Sequence, residues 1–315
     1  MKVFVAGATG ALGKQLVPQL VAAGHEVVGM TRSPARGDAV RALGARPAVA
    51  DALDPDAVAK VVAEAEPDVI VHQLTALGGA FDLRHVDRFF AVTNRLRTEG
   101  TDHLLAAGRA VGARRFVAQS FAGWPFARTG GPVKDESDPL DPDPPDKMRA
   151  VLDAIRYLES AVPAIDWGVG IVLRYGGFYG PGTSVSADPE ADFTKPIRKR
   201  KFPIIGDGGG VWSFIHITDA AAATVAAVDH GEAGIYNVVD DEPARVRDWL
   251  PGLAKAVDAK PPFRLPRWLG RLVAGDAATV MMTELRGASN AKAKRELRWQ
   301  PHYPNWHVGF AEGLR

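Results

Sequence analysis

MKVFVAGATGALG, residues 1–13, reads as a buried strand running straight into a glycine turn. Lys2 to Ala6 is β-branched and apolar, and Gly7, Gly10 and Gly13 punctuate the residues after it. Leu12, Leu16, Val17 and Leu20 then recur at helical spacing, so the turn opens onto an amphipathic helix. A tight strand-to-helix turn needs glycine where φ is unusual and where a Cβ would hold the backbone away from an anion. The helix N-terminus beyond it offers free N–H groups, and the whole is a phosphate cradle. The spacing is GxxGxxG rather than the GxGxxG of the dinucleotide fingerprint.

The chain around this cradle has 315 residues, 46% hydrophobic and 24% charged, which is ordinary for a folded domain or two. Lys plus Arg number 38 against 37 Asp plus Glu, so no overall field favours nucleic acid or an acidic membrane surface. One local exception, Lys195 to Lys201, reads as a solvated connecting segment or an anionic-substrate site. The absence of cysteine excludes disulfides, thiolate metal sites and cysteine nucleophiles, and no metal is expected. No apolar run approaches the ~20 residues of a membrane span. Residues 1–13 lack the apolar core of a signal peptide, so a cytoplasmic location is expected.

Taken in order, Glu26 to Met30 reads as a second strand ending in Thr31-Arg32-Ser33. An acid at that point would accept from a ribose 2′-OH and repel a 2′-phosphate; Arg32, with Arg36 nearby, does the opposite and favours NADP(H) over NAD(H). A third strand at 47–50 leads to Asp51, and Asp54 with Pro55 begins the next helix. A fourth strand at 67–72 ends in His72-Gln73, His72 being expected as a structural histidine. Residues 84–111 read as one long helical region, and 115–119 as a fifth strand with Ser120 directly after it. From 121 to 146 prolines alternate with acids, a long loop expected to form a lid or active-site wall. The remainder holds strands near 168–174, 211–217 and 236–239 and helices near 147–161, 218–228, 246–257 and 268–273. Alternating strands and helices predict an α/β fold, a Rossmann-type doubly wound parallel sheet with ligand at the strand carboxyl ends. We expect residues 1–175 to form the dinucleotide-binding unit, with 206–235 returning to it. Residues 176–205 and 236–315 are left as a smaller substrate-binding region.

GATGALG at 7–13 resembles the cofactor motif of extended and atypical short-chain dehydrogenase/reductases, the epimerase/dehydratase-like branch. Leu173 to Gly182 is similar to that family's LRxxNVYGPG stretch, Phe214 to Asp219 to FIHVxD, Ile235 to Val238 to VYNV, and Leu297 to Pro301 to LGWxP. The resemblance implies cofactor contacts from Gly7, Thr9, Gly10, Ala11, Leu12, Gly13, Arg32, Asp51, Leu53, Gln73, Leu74 and Ser120. It also implies a candidate homodimer face on the helical region 84–111. The family's tyrosine and lysine, four apart on one helix face, are missing. If Glu159 matches the glutamate that comes after them, Val151 and Ile155 stand in their places. Gly177 replaces the asparagine of LRxxN, and Trp212 and Ser213 stand where an arginine commonly grips a diphosphate.

These departures favour an NADP(H)-dependent oxidoreductase that reduces a carbonyl or a conjugated enone or quinone of a small substrate other than a nucleotide sugar. The proton would come from Ser120, Tyr179, Tyr175 or water, and Phe121, Trp124, Phe178, Tyr179 and Trp212 would line the substrate. An epimerase or dehydratase is the second reading, weakened because it must remove hydride from an unactivated alcohol. A non-catalytic NADP(H)-binding sensor is the third.

Overall fold

The computed structural model describes residues 1–78 and 86–315. Seven parallel strands form the central sheet: β1 (Lys2–Ala6), β2 (Glu26–Thr31), β3 (Arg46–Val49), β4 (Val69–His72), β5 (Arg115–Phe121), β7 (Val169–Tyr175) and β12 (Gly234–Val238). Their order is β12-β7-β5-β4-β1-β2-β3. The chain therefore lays strands outward from β1 in one direction and then returns to build the other half from β4. That reversal leaves a crevice at the carboxyl ends of β1 and β4, where the Gly7 turn lies.

Period-two alternation sends each strand's side chains to two cores. Val3, Val5, Val117, Ile171 and Leu173 face α1 (Ala11–Ala22) and α8 (Ile217–Asp229). Phe4, Ala6, Phe116, Ala118 and Val172 face α3 (Pro55–Ala65), α5 (Glu99–Val111) and α6 (Asp146–Ala161). Asp54 caps α3 by accepting from the Asp56 and Ala57 N–H groups, as the Asp-Pro pair predicts. A short α2 (Gly37–Ala42) connects β2 to β3.

Two differences from the sequence reading have local causes. Residues 84–111 are not one helix: α4 (Val86–Arg97) ends at Thr98, whose φ of −101° and ψ of −84° leave the helical region before α5 begins. The Thr98 hydroxyl donates to the Asn94 carbonyl (3.1 Å), holding the break. Residues 84 and 85 lie outside those described. The second difference is the return segment, expected to stop at 235: Tyr236 to Val238 continue β12, paired in register with Leu173 to Tyr175.

Four two-stranded ladders complete the chain: β6 (Val133–Lys134) with β15 (Gly287–Ala288), β8 (Gly177–Tyr179) with β11 (Phe214–His216), β9 (Ile204–Ile205) with β14 (Arg264–Leu265), and β10 (Val211–Trp212) with β13 (Ala244–Arg245). A further core gathers Tyr179, Phe214, Trp249, Trp306 and Phe310 between α9 (Val246–Ala256) and α12 (Trp306–Glu312). Around these helices α7 (Thr194–Arg198), α10 (Arg267–Thr283) and α11 (Ala291–Glu296) fill the C-terminal region. His216 and Asp219 tie this region to the sheet. Nε2 of His216 donates to the Gly313 carbonyl (2.9 Å), Nδ1 accepts from the Thr218 N–H (3.2 Å), and the Asp219 carboxylate accepts from the His302 and Tyr303 N–H groups (both 2.9 Å).

Candidate cofactor and active site

The cradle is built by close backbone approach. Gly7 has φ +100°, and a Cβ there would meet the Gln73 carbonyl oxygen at 2.8 Å. A Cβ on Gly13 would lie 2.3 Å from the Gly7 oxygen and 2.6 Å from Ala8 backbone atoms. The Gly10 N–H donates to the Gly7 carbonyl (3.0 Å), closing the turn, and Gly10 caps α1 without any side-chain bond. The first N–H groups of α1, at Ala11, Leu12 and Gly13, are thus left for an anion. Leu12 is 4% exposed, so it offers its amide and buries its side chain, while Thr9 is half-buried at the rim.

At the end of β2, Arg32 is exposed and its guanidinium has no ion-pair or hydrogen-bond partner among the described residues; the same holds for the Arg36 guanidinium. Asp51 is exposed, and its Oδ1 accepts from the Leu53 N–H (3.0 Å), which leaves Oδ2 open and occupies the Leu53 amide. Leu74 is similarly engaged, its N–H donating to His72 Nδ1 (3.3 Å). Gln73 braces the cradle from beneath. Its Nε2 donates to the Tyr175 hydroxyl (3.2 Å), which donates to Thr224 Oγ1 (2.7 Å), which in turn donates to the Ala220 carbonyl (2.7 Å).

His72 is a structural residue. Its Nε2 donates to the Leu96 carbonyl (3.1 Å), and burial pulls its pKa from 6.5 down to about 4. A histidine whose folded pKa is lowered stabilises the fold above pH 6.5 and loses that contribution as pH falls toward 4. That difference corresponds to about 3 kcal/mol. Urea unfolding should therefore show a fall in stability between pH 7 and pH 4.5, with His72→Gln losing that part of the slope; an unchanged slope would refute it.

The three hydroxyls expected as proton donors are enclosed rather than open. Ser120, 2% exposed, donates to Glu159 Oε1 (2.6 Å). Tyr175, 1% exposed, sits in the Gln73–Thr224 chain, and burial pushes its hydroxyl well above the ordinary tyrosine range. Tyr179, fully buried, has no partner for its hydroxyl and stacks edge-on to His216 and Phe310. Burial, with Asp240 and Asp219 nearby, pushes it up as well. The Ser120 and Tyr175 hydroxyls are engaged with partners inside the protein, and the Tyr179 hydroxyl is buried without one.

Two residues of the expected substrate wall, Trp124 and Phe121, lie together at the end of β5 with ring centroids 6.5 Å apart. Trp124 packs on an apolar cluster of Val86, Met148, Val151, Ile155 and Ala277. Val151 and Ile155 are 0% and 1% exposed, so the helix face where an acid–base pair would stand is hydrocarbon. Phe178 lies against Tyr175 at 5.3 Å. Trp212 is set apart, donating to the Met281 carbonyl (2.8 Å) and stacking with Trp249 and Phe193. The 121–146 loop closes the sheet edge: Arg128 pairs with Asp141 (2.9 Å) and Glu284 (3.0 Å), and Glu136 accepts from the Asn237 N–H (2.7 Å).

A buried charge network escaped the sequence reading. Glu159 accepts from Arg174 through both oxygens (2.8 and 2.6 Å) as well as from Ser120, and Arg97 lies near it with an unpaired Nη1. Its signal was present in α4, where Arg97 falls on the buried stripe with Thr93 and Leu96.

Comparison with known proteins accords with this geometry. The model of the NAD dependent epimerase/dehydratase family matches residues 3–239. A 3-diazoavenalumate denitrifying reductase from a Streptomyces species is 46% identical over 98% of this chain and 99% of its own length. Among solved structures, the Thermotoga maritima UDP-glucose 4-epimerase with UDP-glucose superposes with a TM-score of 0.78 at 19% identity, over 100% of this chain and 97% of that one. The Thermus thermophilus UDP-glucose 4-epimerase complex with NAD gives 0.72 at 22% identity, over 100% and 98%. Identities this low carry the fold alone, while the family match and the Streptomyces relative span most of the chain. A nicotinamide dinucleotide is thus the class of cofactor supported, and the chain is an enzyme belonging to the NAD dependent epimerase/dehydratase family.

Proposed function

We propose that this enzyme is an NADPH-dependent reductase that delivers hydride to a small, conjugated, electron-poor acceptor such as an enone, a quinone or an aryl diazo compound. The observation that carries the reading is the hydrocarbon face at Val151 and Ile155, together with the enclosure of Ser120, Tyr175 and Tyr179. Removing hydride from an unactivated alcohol, as an epimerase must, requires a base to take the hydroxyl proton. An acceptor that stabilises its own product needs no such group. The Streptomyces relative supports this, since its name carries a diazo compound as the substrate of a reductase.

The residues divide the work between binding and exclusion. The Ala11, Leu12 and Gly13 N–H groups hold the pyrophosphate, Asp51 Oδ2 the adenine, and the unpaired Arg32 and Arg36 a 2′-phosphate. Bound there, the cofactor would supply a hydride; a conjugated carbonyl takes it at carbon and leaves charge on oxygen for water to protonate, and an aryl diazonium takes it at carbon with loss of dinitrogen. Trp124, half-buried over the packed Val151 and Ile155, offers apolar area to a planar substrate, and the hydrocarbon beneath it keeps water from that face.

Titration with NADPH and NADH tests the cofactor. Arg32→Ala should weaken NADPH binding about 10- to 100-fold, the value of one charge-assisted phosphate contact, and leave NADH binding unchanged. Equal loss for both cofactors would remove Arg32 from the phosphate site. A scan of NADPH oxidation against a quinone, an enone, an aryl diazonium salt, a simple ketone and UDP-glucose tests the reaction. Turnover confined to the conjugated acceptors is expected, and interconversion of the nucleotide sugar would overturn the proposal.

A further inference from the structure

The loop before α10 and that helix's first half carry large apolar side chains in solvent: Phe263 is 39% exposed, Trp268 69% and Leu272 78%. Trp268 and Leu272 are four apart and share one side of the helix. This half ends at Gly275, whose φ of +88° breaks the helix, and it is held from below where Gly270 lies against Ile205.

The surface around these side chains is basic, although the whole chain is nearly neutral. The Arg200 guanidinium donates to the Pro261 carbonyl (3.2 Å), and the Ile204 N–H donates to the Phe263 carbonyl (2.9 Å). Residues 199–205 are therefore laid alongside residues 261–265, directly before the first half of α10. Lys199, Arg200, Lys201, Lys260 and Arg264 are exposed there, none of them in an ion pair among the described residues. Arg267 and Arg271 add cations paired with Glu284 and Asp276. Protruding tryptophan and leucine ringed by lysine and arginine is the pattern of a helix that lies in a lipid interface. A second copy of the chain fits poorly, because a two-fold contact would set five unpaired cations against five more.

We propose that this face docks on an anionic lipid surface, Trp268 and Leu272 entering the headgroup region and the five cations meeting the lipid phosphates. Among the described residues no helix is long and apolar enough to cross a membrane, so the attachment is peripheral.

The test is flotation of the full chain with phosphatidylglycerol–phosphatidylcholine vesicles and with pure phosphatidylcholine vesicles. The proposal expects binding to the anionic vesicles only. Trp268→Ser with Leu272→Ser should reduce it tenfold or more, since both large apolar side chains lose their place in the headgroup region. Lys199→Glu with Lys201→Glu should reduce it by about tenfold or more, since two cations facing the lipid phosphates become anions. NADPH binding by both variants should match wild type, showing that the fold is kept. Absence of vesicle binding, equal binding to neutral vesicles, or binding that ignores both variants would each overturn it; the first, with capture of an acidic protein, would make the face a protein-docking surface.

Discussion

Gly13→Val will fail to bind NADPH or NADH at concentrations that saturate the wild-type enzyme, with affinity lowered about 100-fold or more, a loss of at least ~2.7 kcal/mol, and turnover lost in parallel. The cause is space rather than backbone conformation. Gly13 lies inside α1, where any residue could adopt the dihedral angles, but its Cβ would stand 2.3 Å from the Gly7 oxygen and 2.6 Å from the Ala8 carbonyl. These neighbours are backbone atoms of the turn itself, so relief means opening the turn, and opening it moves the N–H groups proposed to hold the pyrophosphate. Gly10→Ala makes a graded comparison, because its Cβ would meet the Gly7 oxygen at 3.3 Å, a contact that shifts of a few tenths of an ångström relieve. Gly24→Ala makes a second, with nothing within 4 Å but a φ of +84°; it should cost some stability and leave cofactor binding intact. Isothermal titration alongside circular dichroism separates the two effects. A folded Gly13→Val protein with wild-type affinity would dissolve the assignment of the cradle.

The cradle was legible because everything that makes it is local: a strand, three glycines and a helix within about twenty residues. The same is true of Asp54 with Pro55 and of Arg32 at the end of β2. What escaped depends on partners distant in the sequence. Tyr236 to Val238 look like any short strand, and only their pairing with β7 makes them the outer strand of the sheet. Thr98 gives no warning that a long amphipathic run will break into α4 and α5. The hydroxyls of Ser120, Tyr175 and Tyr179 are visible as chemistry, but whether a hydroxyl faces a cleft or a core is set by Glu159, Thr224 and Gly309, each tens of residues away. Helical spacing revealed that the acid–base pair is missing at Val151 and Ile155. It could not show that α10 would send Ala277 to pack over the gap.

Removing the Glu159 carboxylate gives the largest expected loss of stability. Glu159 is enclosed with Arg174, their side chains 5% and 4% exposed, and it takes three hydrogen bonds from Arg174 and Ser120. Arg97 is a second buried cation facing the same carboxylate; burial pushes it down to about 10, still charged at neutral pH, and Glu159 pulls it back up. Glu159→Ala leaves both guanidinium groups without an opposite charge in the space between α4, α6, β5 and β7. Breaking a buried pair from one side costs about 3–5 kcal/mol, which for a chain of this size lowers the melting temperature by roughly 5–8 °C. Loss of the attraction alone would be smaller; the excess arises from cations that stay buried and unpaired. Glu159→Leu combined with Arg174→Met should therefore be more stable than Glu159→Ala, although it removes more polar groups. It should still fall short of wild type, because Arg97 remains. Adding Arg97→Met should recover a further part of the loss. If the double variant is instead no more stable than Glu159→Ala, the carboxylate is not compensating buried cations, and its place in the network is that of an ordinary hydrogen-bond acceptor for Ser120.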